Sequence, residues 1–412
     1  MMMRIPKQVE WILLQLEEHG YEGYAVGGCV RDTLLGREPE DWDITTSARP
    51  EEVRQVFART IDTGLQHGTV TVMLDHTGYE VTTYRIDGEY EDGRHPKEVS
   101  FTRDLKEDLK RRDFTINAMA LSLDGELVDL FGGREDLKAG VVRCVGEPAE
   151  RFSEDALRLL RAIRFAAQLD FTIEERTKRA LCEEAPRLSR VSRERVQAEL
   201  TKTLLSAHPE RICMVWQAGM APYVSESFSD IFTGAGGREP ETVRRLEERL
   251  RLAAALPAVR AVRWAAFLLE MGEDRGGRML KEFKLDNETI RCARVLIRWF
   301  PVRIADDPRA VRQAMSAMDD GLFDCLLEMK EILDGADGGH AARLKLLAEE
   351  IRGKGDCIRL KDLAVTGTDL IAAGAAPGPA LGQMLKELFA HVLEYPEDNV
   401  KEILLKAASD RD

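Results

Sequence analysis

The chain has 412 residues, with 73 Asp and Glu against 59 Lys and Arg, a formal net charge of −14; at about 150 residues per domain it has room for roughly two to four domains. The acid excess excludes a generic nucleic-acid binder, because sequence-independent affinity comes from neutralising phosphates with Lys and Arg, so any such contact must come from a local basic surface. Its seven scattered cysteines, Cys29, Cys144, Cys182, Cys213, Cys292, Cys325 and Cys357, form no C-x-x-C pair and read as reduced core residues, neither zinc ligands nor a disulfide framework.

The opening MMMRIPKQVEWILLQ has no continuous apolar run, and no stretch reaches the roughly 18 to 20 uncharged apolar residues of a membrane span. A cytoplasmic chain with no membrane partner is expected. Val9, Ile12, Leu13 and Leu16 predict a helix over 7–19, stopped at Gly20. Tyr24-Ala25-Val26 reads as a strand, Gly27-Gly28 as a turn that lets backbone approach a ligand, and Cys29 to Leu35 as a helix whose first amides would face a phosphate. Asp41 and Asp43 flank Trp42; in a strand that spacing projects both carboxylates from one face. Two carboxylates beside a phosphate cradle suit Mg²⁺, which prefers one or two carboxylates plus substrate phosphates. The implied chemistry is nucleotidyl transfer.

Pro50 with EEVRQVF predicts a helix, and GTVTVMLDHTGYEVTTYR a hairpin turning around Gly78, with Val70, Val72, Leu74, Val81 and Thr83 on one face. Glu80 lies on the other face, as a third acid near the metal or as an ordinary surface residue. Residues 85–96, RIDGEYEDGRHP, have no stable period and read as a loop, either a plain connection or a lid. Asp87, Gly88 and Arg94 fall within it. In KEDLKRRDFTINAMA, Lys110, Arg111 and Arg112 are donors for a triphosphate or an RNA backbone, or a basic surface spot; Asp113 and Asn117 contact a ribose or brace the site. Asp129 to Gly133, DLFGG, reads as a strand end, a glycine turn and a hinge.

Residues 150–169 predict one helix, with Ser153 as N-cap and Leu159, Leu160, Ile163, Ala166 and Ala167 as its apolar face. Asp155 and Arg158 sit at i and i+3, where their heads can lie side by side. They are either a surface ion pair or a base reader. A carboxylate only accepts and a guanidinium only donates, so the pair fits the amino donor and ring-nitrogen acceptor shared by cytosine and adenine and clashes with uracil and guanine. In the helix expected at 191–204, Arg193, Arg195 and Lys202 touch phosphates or form a solvated face. From about residue 205 the pattern is helical throughout, with loops at 232–241, 334–340 and 372–379, and Leu381, Leu385, Leu388 and Val392 as a core stripe.

Several of these stretches together resemble one family. GGCVRDTLLG followed by DWDI is similar to the first signature of the class II tRNA nucleotidyltransferases, within the DNA polymerase β superfamily. RRDFTINAMA resembles the second motif, DLFGG the third, EDALR the fourth and VSRERVQAELTKTL the fifth; VTGTDLI and Gly374 to Gly382 resemble the body and tail that hold the tRNA elbow. The resemblance implies an α+β nucleotidyltransferase head with a mixed sheet and helices at 1–140, then an all-α remainder: a neck with the base-reading helix at 141–205, a body at 206–335 and a tail at 336–412. It implies addition of C, C and A to the 3′ end of tRNA from CTP and ATP, and no protein partner. Asp41 and Asp43 become the catalytic Mg²⁺ ligands. Gly27, Gly28, Arg31, Arg112, Asp113, Asn117, Asp155, Arg158 and Arg161 become nucleotide-binding residues, with Asp155 and Arg158 selecting the base. The 85–96 loop corresponds to a flexible segment implicated in the switch to adding A, and its full length favours the complete activity. An enzyme adding only the terminal A, a poly(A) polymerase, a small-molecule nucleotidyltransferase and a non-catalytic tRNA-binding protein are the alternatives.

Overall fold

The computed structural model describes residues 5–65, 68–88, 99–233, 239–335 and 339–409. The chain forms two compact units, Met1–Glu247 and Glu248–Asp412. Among the described residues, the first holds all the β-structure. Helix α1 (Lys7–Glu18) buries Val9, Ile12, Leu13 and Leu16, the expected stripe. Strand β1 (Gly23–Val26) runs into α2 (Gly28–Leu34), β2 (Ile44–Thr46), α3 (Pro50–Val56) and strands β3 (Thr60–Gly64), β4 (Thr69–Leu74) and β5 (Thr77–Thr83). After the ladder of β6 (Arg85–Asp87) with β7 (Val99–Phe101) come α4 (Leu105–Lys110), β8 (Met119–Leu121), β9 (Leu127–Asp129) and α5 (Gly133–Ala139). The main sheet has the order β3-β4-β5-β2-β1-β8-β9. It is mixed, with β2 and β5 parallel and its other pairs antiparallel.

Alternation along β1 explains what covers the two faces of the sheet. A Cβ on Gly23 would lie 3.0 Å from Leu16, so this face carries α1. Tyr24 and Val26 point the other way and pack with Leu105 and Leu109 of α4. That packing leaves the end of α4, with Lys110, Arg111 and Arg112, next to the glycine pair that follows β1.

Four local expectations change. The hairpin turn is Asp75-His76, both in the left-handed region (φ 47° and 66°) as a two-residue turn requires, and not around Gly78. Gly78 lies inside β5, where a Cβ would come within 2.7 Å of Thr71. Strand β2 begins at Ile44, so Asp41 and Asp43 lie on the segment leading into it; the amide of Val26 still donates to the carbonyl of Asp43 at 2.9 Å. The root of the 85–96 loop is ordered: Arg85, Ile86 and Asp87 pair with Phe101, Ser100 and Val99. Gly88 follows the strand, and Arg94 with the rest of 89–98 lies outside the described residues.

The fourth change matters most. The helix expected over 150–169 is two helices, α6 (Pro148–Glu154) and α7 (Leu157–Leu169). Asp155 is extended (φ −142°, ψ 104°), and its carboxylate accepts from the amide of Leu157 at 3.0 Å. An acid that satisfies a helix-start amide competes with helical continuation. Ser153 donates to the Glu150 carbonyl inside α6 and caps nothing. Helices α8 (Glu175–Glu183) and α9 (Arg193–Leu204) follow, with a two-residue parallel ladder, Val141–Val142 on Thr172–Ile173, added to the expected helical neck.

Among its described residues the second unit contains helices and no strands. Leu388 and Val392 are buried with Leu370 and Leu404, and Leu381 and Leu385 pack against them, so the C-terminal stripe is core. Arg312 donates to the carbonyls of Leu393 and Glu394 and to Asp356, which ties the helix Pro308–Ser316 to the end of Pro379–Glu394.

Candidate active site

Gly27 has φ 82° and ψ −127°, a conformation that L side chains rarely adopt. A Cβ there would stand 3.2 Å from a guanidinium nitrogen of Arg112, and one on Gly28 would stand 3.7 Å from Arg31. The glycine pair therefore has two cations over it. Asp43 is on the same side. Burial pushes its carboxyl above the ordinary range, Arg112 pulls it back, and Asp41 raises it further. Glu80 on β5 is also raised, by burial first and then by Asp43 and Asp41, so three acids share one field. Among the described residues no group of three or more His, Cys, Asp or Glu side chains converges to hold a metal ion. Asp41 and Asp43 are a two-carboxylate donor set, which fits a hard divalent cation completed by substrate phosphates.

Arg112 is aimed by Asp108, a fully buried acid that sequence reasoning passed over. Its carboxylate accepts from Arg111 (3.0 Å), Arg112 (3.3 Å), the Thr45 hydroxyl (3.2 Å) and the Arg85 amide (3.4 Å). Burial alone would raise this carboxyl; Arg112 and Arg111 hold it below the usual range. Asp113 and Asn117 brace one another across a turn of 3₁₀ helix, Thr115–Asn117, at 3.3 Å. Asn117 accepts from Arg31 at 2.7 Å, and Asp113 accepts from Arg161 at 2.7 and 2.5 Å. The guanidiniums of Arg31, Arg161 and Arg164 all lie within 5.4 Å of the Phe165 ring centre. Phe165 is buried and packs edge-on against Phe114, so one aromatic residue holds three cations at the site.

Asp155 and Arg158 do not form the expected pair on one helix face, because the helix is broken between them. Asp155 accepts from both terminal nitrogens of Arg195 on α9, at 3.2 and 2.7 Å. Arg158 donates to Glu154 (2.5 Å), the Arg151 carbonyl (3.0 Å) and the Arg111 carbonyl (3.0 Å). Its last contact joins α7 to the residue before Arg112. Arg195 is thereby an acid's partner rather than a free phosphate contact.

A cavity of about 710 Å³ brings Gly28, Arg31, Asp41 and Asp43 together with Arg37, Arg164, Gln168, Lys202 and Ser206. Asp155 and Arg158 do not line it, and neither do Arg111 and Arg112. Sequence reasoning missed Arg37, Arg164, Gln168 and Ser206. A signal existed for one of them, since Arg158, Arg161 and Arg164 recur at i, i+3 along α7 while attention went to the apolar face.

Comparison with known proteins agrees with this geometry. The Poly A polymerase head domain family matches residues 23–143, an RNA- and SrmB-binding region of polymerase A matches 170–231, and a tRNA nucleotidyltransferase domain 2 matches 259–408. The CCA-adding enzyme of Enterococcus faecalis is 38% identical over 405 residues, 98% of this chain and 95% of the relative. That of Limosilactobacillus fermentum is 39% identical over 406 residues, 97% and 95% of the two chains. The crystal structure of the Bacillus stearothermophilus CCA-adding enzyme in complex with CTP superposes with a TM-score of 0.80 at 33% identity, covering 99% of this chain and 98% of that one. The fold alone is shared with a Thermotoga maritima CCA-adding enzyme complexed with tRNA, at TM-score 0.63, 22% identity, and 100% and 97% coverage. Its sequence, its sheet and the arrangement of its acids and arginines agree: this chain belongs to the CCA-adding enzymes, the nucleotidyltransferases built on the poly(A) polymerase head.

Proposed function

We infer that the chain adds C, C and A to the 3′ end of tRNA from CTP and ATP, without a nucleic-acid template and with release of pyrophosphate. One observation carries the assignment of roles: Arg112 stands beside both Gly27 and the Asp43 carboxyl, while the preceding residue, Arg111, holds Arg158 through its carbonyl. That Asp43, Gly27 and Arg158 all neighbour residues 111–112 supports this division of roles.

Asp41 and Asp43 would hold Mg²⁺, with Glu80 as a nearby third acid. When bound, the ion supplies Lewis acidity at the α-phosphate and favours the ionised primer 3′-hydroxyl. Gly27, Gly28, Arg31 and Arg112 hold the phosphates as the 3′ oxygen bonds to the α-phosphorus and the bridge to the β-phosphate breaks. Asp113 and Asn117 keep Arg161 and Arg31 in place. Asp155 accepts from the exocyclic amino group and Arg158 donates to the ring nitrogen, which admits C and A and opposes U and G. The division into head 1–140, neck 141–205, body 206–335 and tail 336–412, with the last two holding the tRNA elbow, belongs to the same reading. So does the loop with Asp87, Gly88 and Arg94 as the switch to A. No described helix is long and apolar enough to cross a membrane; the cytoplasm is the place this reading assigns.

The test is incubation with Mg²⁺, labelled CTP or ATP, and tRNA ending at the discriminator base, at C or at CC. Two C then one A is the expected product; A only onto CC marks the restricted enzyme, long A tails a poly(A) polymerase, and no incorporation a binder. Asp41→Ala and Asp43→Ala should each abolish transfer with the fold retained, and turnover by either variant refutes the metal assignment.

A further inference from the structure

Most guanidiniums around the site are matched by acids: Arg31 by Asp32, Arg111 and Arg112 by Asp108, Arg158 by Glu154, Arg161 by Asp113, Arg164 by Glu199, Arg195 by Asp155. Two cations of the cavity are not. Arg37, on the loop after α2, makes only a 3.5 Å contact to the Gln168 carbonyl, and Lys202, in the last turn of α9, has no ion-pair or hydrogen-bond partner among the described residues. Both are exposed, and both line the cavity that contains Asp41 and Asp43. Glu38 and Glu40 line it too, on the segment that leads to Asp41. The wall beside the two cations is Arg164, nine-tenths buried against Glu199, and Gln168, which accepts from it at 3.1 Å.

Of the residues given to the incoming nucleotide, Gly28 and Arg31, which hold its phosphates, line this cavity together with Asp41 and Asp43, while Arg112, Asp113, Asn117, Arg158 and Arg161 lie outside its lining. Along α7, Gln168 is ten residues beyond Arg158, about 15 Å at 1.5 Å per residue. In-line displacement sets the attacking oxygen opposite the departing pyrophosphate, so the primer must come to the acids from a side that the triphosphate leaves open. Unmatched Arg and Lys on an otherwise acidic chain are what a ribose-phosphate backbone needs there.

We propose that Arg37 and Lys202 bind the phosphodiester on the 5′ side of the primer's accepting nucleotide, with Arg164 and Gln168 forming the wall beside its terminal residue. This rests on Asp41 and Asp43 being the transfer centre. The test uses the full chain carrying Arg37→Ala and Lys202→Ala, with tRNA ending at the discriminator base, at C and at CC. KM for tRNA should rise about tenfold while KM for CTP stays within about twofold, and the slope of log kcat/KM for tRNA against log salt should become shallower by roughly 1 to 2. The Arg37→Lys, Lys202→Arg double variant should recover most of the loss. Each single alanine variant should show part of it, at an unchanged melting temperature. A wild-type chain that incorporates nothing defeats the transfer reading itself. An active wild type whose double variant leaves KM for tRNA unchanged, or raises KM for CTP instead, overturns the primer assignment.

Discussion

Replacing Asp113 by Asn tests the bracing of the nucleotide-binding side with little change in shape. The carboxylate is buried and accepts from the Phe114 amide (2.8 Å), Asn117 (3.3 Å) and two nitrogens of Arg161 (2.7 and 2.5 Å). Burial works to raise its carboxyl, but Arg161 and then Arg158 hold it down to about 2 from an ordinary 3.8. A shift of that size corresponds to about 2.5 kcal/mol of stability when the group is ionised. For a depressed carboxyl that stability is complete above the unfolded value and is lost as pH falls towards the folded one. Asn keeps an oxygen for the Phe114 amide but removes the charge opposite Arg161. Because the Arg161 side chain is 33% exposed and can regain water, the lower part of the range applies, about 2 kcal/mol. Urea titration read by hydrogen exchange at the α7 amides isolates this region from the second unit. The variant should open more easily by about 2 kcal/mol at pH 7, and the gap should narrow as pH falls below about 4. A variant indistinguishable from wild type at pH 7, or a gap equally wide at pH 3, would refute the reasoning.

Three further outcomes follow from the geometry. Gly133→Ala places a Cβ 2.2 Å from the Thr115 carbonyl and 2.9 Å from Met119, so it should cost about 3 kcal/mol and lower the melting temperature by several degrees; an unchanged melting temperature contradicts it. Arg195→Ala releases the Asp155 carboxylate, and the preference for CTP over UTP in kcat/KM should fall about tenfold or more while KM for tRNA changes little. Equal discrimination by the variant would remove Arg195 from specificity. Asp43 and Glu80 hold their protons to higher pH than ordinary carboxyls, and metal binding needs the ionised form. As pH falls, the concentration of Mg²⁺ for half-maximal rate should therefore begin to climb while an ordinary Asp would still be ionised. A requirement that stays flat until ordinary carboxyls titrate would place these acids away from the metal.

Local patterns made much of this fold legible. The stripe on α1 and the alternation of β4 and β5 appear as expected, because burial of one face imposes those periods directly. Turns were harder. Asp75-His76 adopts the two positive φ values usually left to glycine, while Gly78 is small for a packing reason. Partners distant in sequence were not legible at all: Arg31 finds Asn117, 86 residues away, and Asp155 finds Arg195, 40 away. No period or spacing encodes such pairs, since they depend on how α7 and α9 pack and on where α4 ends.

The break at Asp155 shows why spacing alone misplaced Asp155 and Arg158. In a continuous helix, positions i and i+3 share a face, and Asp155 and Arg158 would neutralise one another locally. With the chain extended at Asp155, the adjacent acids take different cations: Glu154 holds Arg151 and Arg158, and Asp155 holds Arg195 and accepts from the Leu157 amide at the start of α7. Each of the two is then fixed by a residue that is not the other. Under the proposed function, a base would meet an acceptor and a donor whose positions are set independently of its arrival, which is the arrangement that discriminates by leaving a wrong base unpaired.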